Sequence, residues 1–476
     1  MHSQVVVLGG GPGGYAAAFM AADLGLEVAI VEADPRLGGT CLLRGCIPSK
    51  ALLHVAKVIS ESREMHEWGV DFQEPKLNVD AMRARKEKVI DTLTGGLAEL
   101  VKRRKVKRIH ARGVFVDSQT LQLEGGNPET YESERITFDH CILATGSVPA
   151  MPPMFNIGSD RVMDSTGALN LVDIPKSLLV IGGGYIGLEM GTVYAEIGSE
   201  VSVVEMTTGL LPGADRDLVK PLAKRLSQTM TAIHLNTKVT ALRDAGDHVD
   251  VDIEGPEGDD SGVSGTHQFE RVLVAVGRRP VSKGFGLENT KVELDKRGFA
   301  KVDNQQRTTD ERIFAIGDIA GEPMLAHKAS YEGKVAAEVL AGHAAANDAH
   351  AIPAVVFTDP EIAWAGLTAD QAKAEGRTVK IVQYPWQASG RAIAIGRTDG
   401  LTKWLIDPET DRLLGCGIVG SGAGELIAEA VVAIEMGCKV HDLTESIHPH
   451  PTLSETLAFA GEVYLGTATE VYRPKR

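Results

Sequence analysis

Apolar and polar positions along the chain fall into short runs of two periods. Val5-Val6-Val7-Leu8 is an unbroken apolar run of strand length, as expected of a strand buried on both faces. It is followed by Gly9-Gly-Gly-Pro-Gly-Gly14, an Ala-rich stretch of helical period, a glycine turn, a second apolar run and Glu32. The same order returns further on. Residues 177–205 align on residues 4–32 without a gap, with Gly182, Gly184 and Gly187 on Gly9, Gly11 and Gly14, and Glu205 on Glu32. Each copy also has a closing strand that ends in glycine, Cys141-Ile-Leu-Ala-Thr145-Gly146-Ser147 and Val272-Leu-Val-Ala-Val-Gly277. The polar stretch Glu254–Gly265 reads as a solvated hairpin tip. Arg312-Ile-Phe-Ala-Ile-Gly-Asp318 reads as a short buried strand, and Asp318 at its end suits either a cofactor polyol or a helix N-cap. From Pro353 the pattern becomes strands (Ala354–Phe357, Ile362–Trp364, Leu401–Ile406, Gly417–Val419) and then helices, an α+β module without a nucleotide signature.

The two repeated units predict two dinucleotide sites. In strand–GxGxxG–helix order, the first glycine permits the tight turn, the second lets backbone approach a pyrophosphate, and the third lets helix pack on strand. The helix N-terminus then presents its positive dipole end to the phosphates. An acid about 20 residues on hydrogen-bonds a ribose diol and repels a 2′-phosphate. Glu205 is followed by Met206-Thr207-Thr208 with no adjacent arginine, so the second site favours NAD over NADP unless Arg216 folds back onto it.

Composition narrows the class. At 476 residues the chain exceeds one hydrophobic core and predicts roughly three domains. A net charge of −15 argues against nucleic-acid or anionic-membrane partners. No apolar run approaches the ~20 residues of a membrane helix. The first strand begins almost at Met1, so no signal peptide is expected and the chain reads as cytoplasmic. Stable disulfides are rare in that compartment, which turns attention to the one close cysteine pair as catalytic or metal-binding.

Cys41 and Cys46 stand in Gly39-Thr-Cys-Leu-Leu-Arg-Gly-Cys-Ile-Pro-Ser-Lys50. On a regular helix residues five apart differ by about 140° in direction, which disfavours a bridge. Gly45 and Pro48 supply the means to distort the turn, and a strained, reducible disulfide follows. Zinc is the competing reading, but no second Cys or His pair lies at ligand spacing, so no metal is expected. Cys141, Cys416 and Cys438 have apolar or glycine neighbours and read as buried bystanders. Thiol–disulfide exchange needs thiolate, hence a base. His448-Pro-His-Pro-Thr-Leu-Ser-Glu455 offers one, with Glu455 placed to orient an imidazole; alone, the same run is a Pro-rich turn with two surface histidines.

Taken together, these motifs resemble the pyridine nucleotide–disulfide oxidoreductases, and within them the branch that oxidises protein-bound dihydrolipoamide. The resemblance covers essentially the whole chain. It rests on Gly9–Gly14, Gly39–Lys50, Ala144–Ser147, Gly182–Glu189, Ile316–Asp318, Phe357-Thr-Asp-Pro-Glu361 and His450–Glu455. It implies an α/β fold: an FAD domain over 1–149, an NAD domain over 150–278, a segment over 279–350 that completes the FAD site, and an α+β dimerisation domain over 351–476. It makes Cys41 the interchange thiol that meets substrate and Cys46 the sulfur that faces the flavin. His450, not His448, becomes the acid–base residue, with Glu455 as its partner, acting on the other subunit of an obligate homodimer.

The resemblance also assigns the cofactor contacts. Lys50 and Glu189 form an ion pair near the flavin, and Tyr185 covers the flavin until nicotinamide enters. Gly9, Gly11, Gly14, Glu32, Gly113, Thr145, Gly146, Ser147, Asp318 and the segment Met324-Leu325-Ala326-His327 contact FAD. Gly182, Gly184, Gly187, Glu205, Val239 and Gly277 contact NAD. The implied reaction carries electrons from dihydrolipoamide through the dithiol and flavin to NAD+. The implied partners are the lipoyl domains and core of a 2-oxoacid dehydrogenase complex, or the lipoyl carrier of glycine cleavage.

The chain departs from the family pattern at Leu43-Arg44 between the cysteines, where Asn-Val is common. Arg44 there is set to lower the Cys46 pKa, meet an acidic partner, or stand exposed. Gln387-Ala-Ser-Gly-Arg391 also departs from the usual Ala-Asn-Ser-Arg. Glu205 argues against the NADP-linked glutathione reductases, and the cysteine pair argues against soluble transhydrogenases. The ending Tyr472-Arg-Pro-Lys-Arg476 lacks the extra cysteines of mercuric reductases. A binding subunit with secondary catalysis is the rival from another class, and retention of every chemical residue counts against it.

Overall fold

The computed structural model describes residues 1–258 and 262–472. The first apolar run forms the strand His2–Leu8 at the centre of a sheet, parallel to Val28–Glu32 on one side and to Arg135–Leu143 on the other. Lys107–His110 extends the sheet beyond Val28–Glu32. Helix Pro12–Asp23 covers it, started by a proline in its first turn, where the missing N–H costs nothing. An antiparallel arm, Arg112–Asp117 and Thr120–Glu124, leads into Arg135–Leu143. The last member arrives late: Ile313–Ala315 pairs in parallel with Arg135–Leu143, after the chain has left to build its second unit.

That second unit repeats the design. Ser177–Ile181 lies between Glu200–Val204 and Arg271–Val274, with Ala232–His234 and Val162–Met163 outside them, all parallel. A three-stranded antiparallel sheet, Lys238–Asp244, Val249–Glu254 and Gly265–Phe269, is inserted before its closing strand. The polar stretch Glu254–Gly265 joins the last two of these strands, and Glu257, Gly258 and Gly262 are exposed. Asp259, Asp260 and Ser261 at its centre lie outside the described residues, as do Arg473–Arg476.

The C-terminal module is a five-stranded antiparallel sheet in the order Ala354–Val356, Glu361–Gly366, Leu413–Gly420, Leu401–Ile406, Lys380–Pro385. Helices Ala423–Glu435 and Glu455–Leu465 pack on it around the buried Trp386 and Trp404. Lys380–Pro385 was not legible as a strand. It is an edge strand whose polar Lys380 and Gln383 interrupt the apolar pattern and whose proline ends it.

All three parts share one apolar cluster. Leu52, Leu53, Ala56 and Ile59 of helix Cys46–Glu64 meet Leu188 and Met190 of helix Tyr185–Glu196, Leu218 and Leu222 of helix Arg216–Thr229, and Val356, Ile362 and Val419 of the C-terminal sheet. A buried ion cluster fastens the last two. Lys403 Nζ lies 2.7 Å from Asp215 and 2.8 Å from Asp217, and Asp215 also accepts the Ala369 and Asp370 N–H groups. Removing one member of such a cluster leaves an uncompensated buried charge. Lys403→Met is therefore expected to lower unfolding stability by about 3–5 kcal/mol, read as a lower midpoint in urea or on heating; an unchanged midpoint would show the carboxylates to be solvated.

Candidate active site

The cysteine segment does not form one helix. It is two, Gly39–Arg44 and Cys46–Glu64, broken at Gly45, where a Cβ would lie 2.8 Å from the Thr40 carbonyl oxygen. The break removes the angular mismatch of a regular helix and turns the two sulfurs toward each other as free thiols. Cys46 also opens a helix of 19 residues, where the dipole favours negative charge. The hydrogen bond from Cys41, then the Lys50 ammonium, lower the Cys46 thiol to about 7 against the opposing effects of burial and the Glu189 carboxylate. The same hydrogen bond, with burial, pushes Cys41 far above the ordinary thiol range. The two sulfurs share a proton unequally: the hydrogen bond favours the proton on Cys41 and the charge on Cys46. Cys141 and Cys416 are buried, and burial pushes both thiols up; Cys438 is only half-buried.

Arg44 takes the second of its three expected roles. Its guanidinium pairs with Asp34 and does not act on Cys46. Lys50 Nζ pairs with Glu189 at 2.8 and 3.0 Å. Glu189 comes from the second glycine helix, so this pair joins the two units across the cleft.

That cleft holds about 910 Å³ and is lined by both cysteines, Lys50, Tyr185 and Glu189. The first glycine loop (Gly9, Gly11, Gly14) and Glu32 also line it. Gly113 and Thr145–Ser147 join them from the Arg135–Leu143 side of the sheet, and Asp318, Met324 and Ala326 from the returning segment. Leu325 caps helix Ala326–Leu340, and His327 bonds the Pro353 carbonyl at 2.7 Å, so neither side chain is among the lining residues. Asp318 accepts from the Ser147 hydroxyl and is not the N-cap of its short helix, which is Ile316.

A dinucleotide fits this arrangement. Helix Pro12–Asp23 has no side-chain cap and no acid in its first turn, so its leading N–H groups are left for an anion. A Cβ on Gly11 would meet only Gly39 Cα, at 3.8 Å; the room a side chain would take is open. Gly14 is the opposite case, since its Cβ would sit 1.9 Å from the Gly9 carbonyl oxygen. Glu32 is pinned by the Gly10 N–H at 2.6 Å and the Asp34 N–H at 2.8 Å, and burial raises its carboxyl against their pull.

The second glycine loop repeats these contacts almost atom for atom. Glu205 is pinned by the Gly183 N–H at 2.6 Å and the Thr207 N–H at 2.7 Å. A Cβ on Gly187 would lie 2.2 Å from the Gly182 carbonyl oxygen, whereas nothing lies within 4 Å of one on Gly184. Arg216 does not fold back, because its guanidinium is spent on the carbonyls of Leu210, Leu211 and Ala214. Val239 is buried beneath this unit among Ile181, Val204 and Val272, and Gly277 follows the closing strand at φ +117°.

His450 and His448 separate clearly. His448 is 10% exposed and used on both nitrogens, by Glu429 at 2.8 Å and by the Ser446 carbonyl at 2.8 Å. His450 is 78% exposed and bonds Glu455 through Nδ1 at 2.8 Å; Glu455 also accepts the Thr452 N–H. His450 does not line the cleft of its own chain.

Two contacts escaped sequence reasoning. Arg278 clamps Ser147, Nε to Oγ at 2.8 Å and Nη2 to the carbonyl at 2.7 Å, where Arg278–Pro280 pairs with Ser147–Pro149. Its position directly after Gly277 was the available signal. Phe357 donates its N–H to Glu189 at 3.0 Å, and only its place in a matched segment pointed to it. Among the described residues no cluster of three or more His, Cys, Asp or Glu could hold a metal ion, and no helix is long and apolar enough to cross a membrane.

Comparison with known proteins agrees over the full length. Residues 3–333 match the family described as pyridine nucleotide-disulphide oxidoreductase, and residues 352–460 match its dimerisation domain. A protein named dihydrolipoyl dehydrogenase from Vibrio cholerae is 48% identical over 475 residues, covering 100% of this chain and 98% of that one. One of the same name from Geobacillus stearothermophilus is 42% identical, covering 99% and 98%. Among solved structures, LpdA from Mycobacterium tuberculosis superposes with a TM-score of 0.88 at 25% identity, covering 97% of this chain and 99% of that one. The flavoprotein disulfide reductase RclA from Escherichia coli, as its Cu(II) complex, does so with a TM-score of 0.83 at 27% identity, covering 95% and 98%. With its paired glycine loops, its facing thiols and these matches end to end, the chain belongs to the pyridine nucleotide–disulfide oxidoreductases.

Proposed function

We propose that this chain is a dihydrolipoyl dehydrogenase that uses FAD in its first site and NAD in its second, and oxidises protein-bound dihydrolipoamide to lipoamide with formation of NADH. The observation that carries this reading is the dithiol itself: two facing sulfurs at a helix start, in the same cleft as a dinucleotide loop, with the Lys50 ammonium placed to favour the Cys46 thiolate. Full-length relatives bearing the name dihydrolipoyl dehydrogenase support the substrate.

The residue roles follow from charge and access. In the oxidised state Cys41 and Cys46 form a disulfide. A substrate thiolate attacks Cys41 Sγ, a new S–S bond forms, and Cys46 leaves as thiolate. A low leaving-group pKa speeds this displacement, and about 7 is low for a thiol. The second substrate thiol then attacks its partner sulfur, closes the lipoamide ring and releases Cys41, which takes up a proton. His450 takes the first substrate proton, hands it to Cys41 as that sulfur is released, and takes the second, while Glu455 fixes its tautomer so that Nε2 presents the lone pair. His450 is exposed and absent from its own cleft, which supports a homodimer in which each copy supplies His450 to the other's Cys41. Bound FAD supplies the two-electron carrier between dithiol and NAD+. The first glycine loop, Glu32, Thr145–Ser147, Asp318, Met324 and Ala326 hold it, and the second loop holds NAD with Glu205, whose carboxylate repels a 2′-phosphate. The partners are lipoyl-bearing subunits of a 2-oxoacid dehydrogenase complex or of glycine cleavage, and the compartment is the cytoplasm, where thiols stay reduced.

Steady-state assays with dihydrolipoamide or reduced glutathione, each with NAD+ and NADP+, are expected to show turnover with dihydrolipoamide and NAD+. Preference for glutathione with NADP+ would refute the reading. Titrating the two-electron-reduced holoenzyme should show a long-wavelength thiolate–flavin band that grows as pH rises through about 7, because Cys46 loses its proton there. Cys46→Ser should lack the band at every pH, and its persistence would mean the sulfur roles are reversed. His450→Gln should slow dithiol oxidation by about 10²–10⁴-fold while leaving NADH reduction of the flavin near normal; stopped-flow measurement of both half-reactions checks it, and equal losses would remove His450 as the thiol base.

A further inference from the structure

The Lys50–Glu189 pair does not stand alone. Lys50 Nζ lies 4.4 Å from the centroid of the Phe357 ring, and Glu189 Oε1 accepts the Phe357 N–H at 3.0 Å. One residue of the C-terminal module thus touches both members of the pair, the cation through its ring and the anion through its backbone. We propose that Phe357 is a positioning residue for the Lys50–Glu189 pair and, through it, sets the electrostatic field at Cys46.

The two members of the pair differ in how firmly they are held. The Glu189 side chain is 5% exposed and fixed by Lys50 and the Phe357 N–H. Lys50 is 30% exposed on a flexible four-carbon stem, and besides the Glu189 carboxylate its ammonium lies against the Phe357 ring. A cation over an aromatic face is attracted by the ring quadrupole, most strongly where water is partly excluded. The ring therefore favours the ammonium position beside Glu189 over more solvated ones.

The consequence falls on a difference of opposed charges. Lys50 favours the Cys46 thiolate and Glu189 opposes it. Cys41, Tyr15 and Tyr185 face the same sulfur as neutral groups, since both phenols are pushed above their ordinary value. An ammonium that drifts outward leaves the carboxylate acting alone. Cys46 then binds its proton more tightly.

Phe357 is itself held from behind. Val356 is buried in the cluster shared by the three parts of the fold, and Thr358 bonds the Pro360 carbonyl at 2.9 Å. Asp359 pairs with Arg397 and lies 3.9 Å from Arg225, which also binds Glu64 on the cysteine helix. The ring position is dictated by the C-terminal module and delivered to the sulfur that faces the cofactor.

The inference rests on the thiolate role proposed for Cys46, and the test separates the two. The thiolate–flavin band of the two-electron-reduced holoenzyme is titrated for the wild type, Phe357→Leu and Phe357→Tyr. All three keep the backbone N–H to Glu189, so only the ring differs. Phe357→Leu should raise the band midpoint by about 0.5–1 pH unit, a roughly three- to tenfold loss of thiolate below the midpoint, while Phe357→Tyr stays close to wild type. Phe357→Met replaces Phe357→Leu if the latter yields no folded holoenzyme. A band with the same midpoint in the wild type and the non-aromatic variant overturns the inference and leaves the proposed function standing. Equal shifts in Tyr and Leu also overturn it, because packing and not the π face is then responsible. No band in the wild type overturns the proposed function, and this inference with it.

Discussion

The structure turns on a single contact between charges of opposite sign. Lys50 comes from the cysteine helix and Glu189 from the second glycine helix, and their pairing at 2.8 Å holds two separately folded units face to face with the dithiol between them. An isolated surface pair of this kind contributes little. This one is backed by the apolar cluster that runs from Leu52 through Leu188 to Val419, so the two charges are presented to each other by packing already in place. The pair sets position and field more than it adds stability. The Cys46 thiol is lowered first by the Cys41 hydrogen bond and then by the Lys50 ammonium, with Glu189 opposing, so where the pair holds its cation tunes that sulfur.

Much of this was legible because the chemistry is local in sequence. Two glycine loops in register predicted two parallel sheets, and the structure shows why each glycine is required. Gly14 and Gly187 have carbonyl oxygens where a Cβ would go, and Gly11 and Gly184 have open space. The acids ending the second strands, Glu32 and Glu205, are pinned by the same pair of N–H groups in both units. The cysteine spacing correctly demanded a distorted turn. Sequence alone could not say that the distortion is a full break at Gly45.

What was not legible depends on contacts far apart along the chain. Nothing near Arg44 indicates that Asp34, ten residues earlier, claims its guanidinium. His448 and His450 look alike in their Pro-rich run, and contacts with Glu429 on a neighbouring helix and with the Ser446 carbonyl distinguish the largely covered, doubly bonded ring from the exposed one. Arg278 and Phe357 act on residues more than a hundred positions away, where no periodicity reaches. The edge strand Lys380–Pro385 was missed because, among the described residues, one of its sides has no strand partner, so its pattern is half polar.

The late return of Ile313–Ala315 to the first sheet bears on how the molecule is made. Domains form as units during synthesis, with the N-terminal one first. Here the N-terminal sheet lacks its last strand, and its cofactor cleft lacks Asp318, until more than half the polypeptide has left the ribosome. The Cys141–Leu143 end of Arg135–Leu143, beyond its pairing with Thr120–Gln122, is an unpaired edge throughout that interval, open to wrong partners. A chain that has not yet reached Ile313 therefore has neither the closing strand nor Asp318, and the berth is whole only once both are in place.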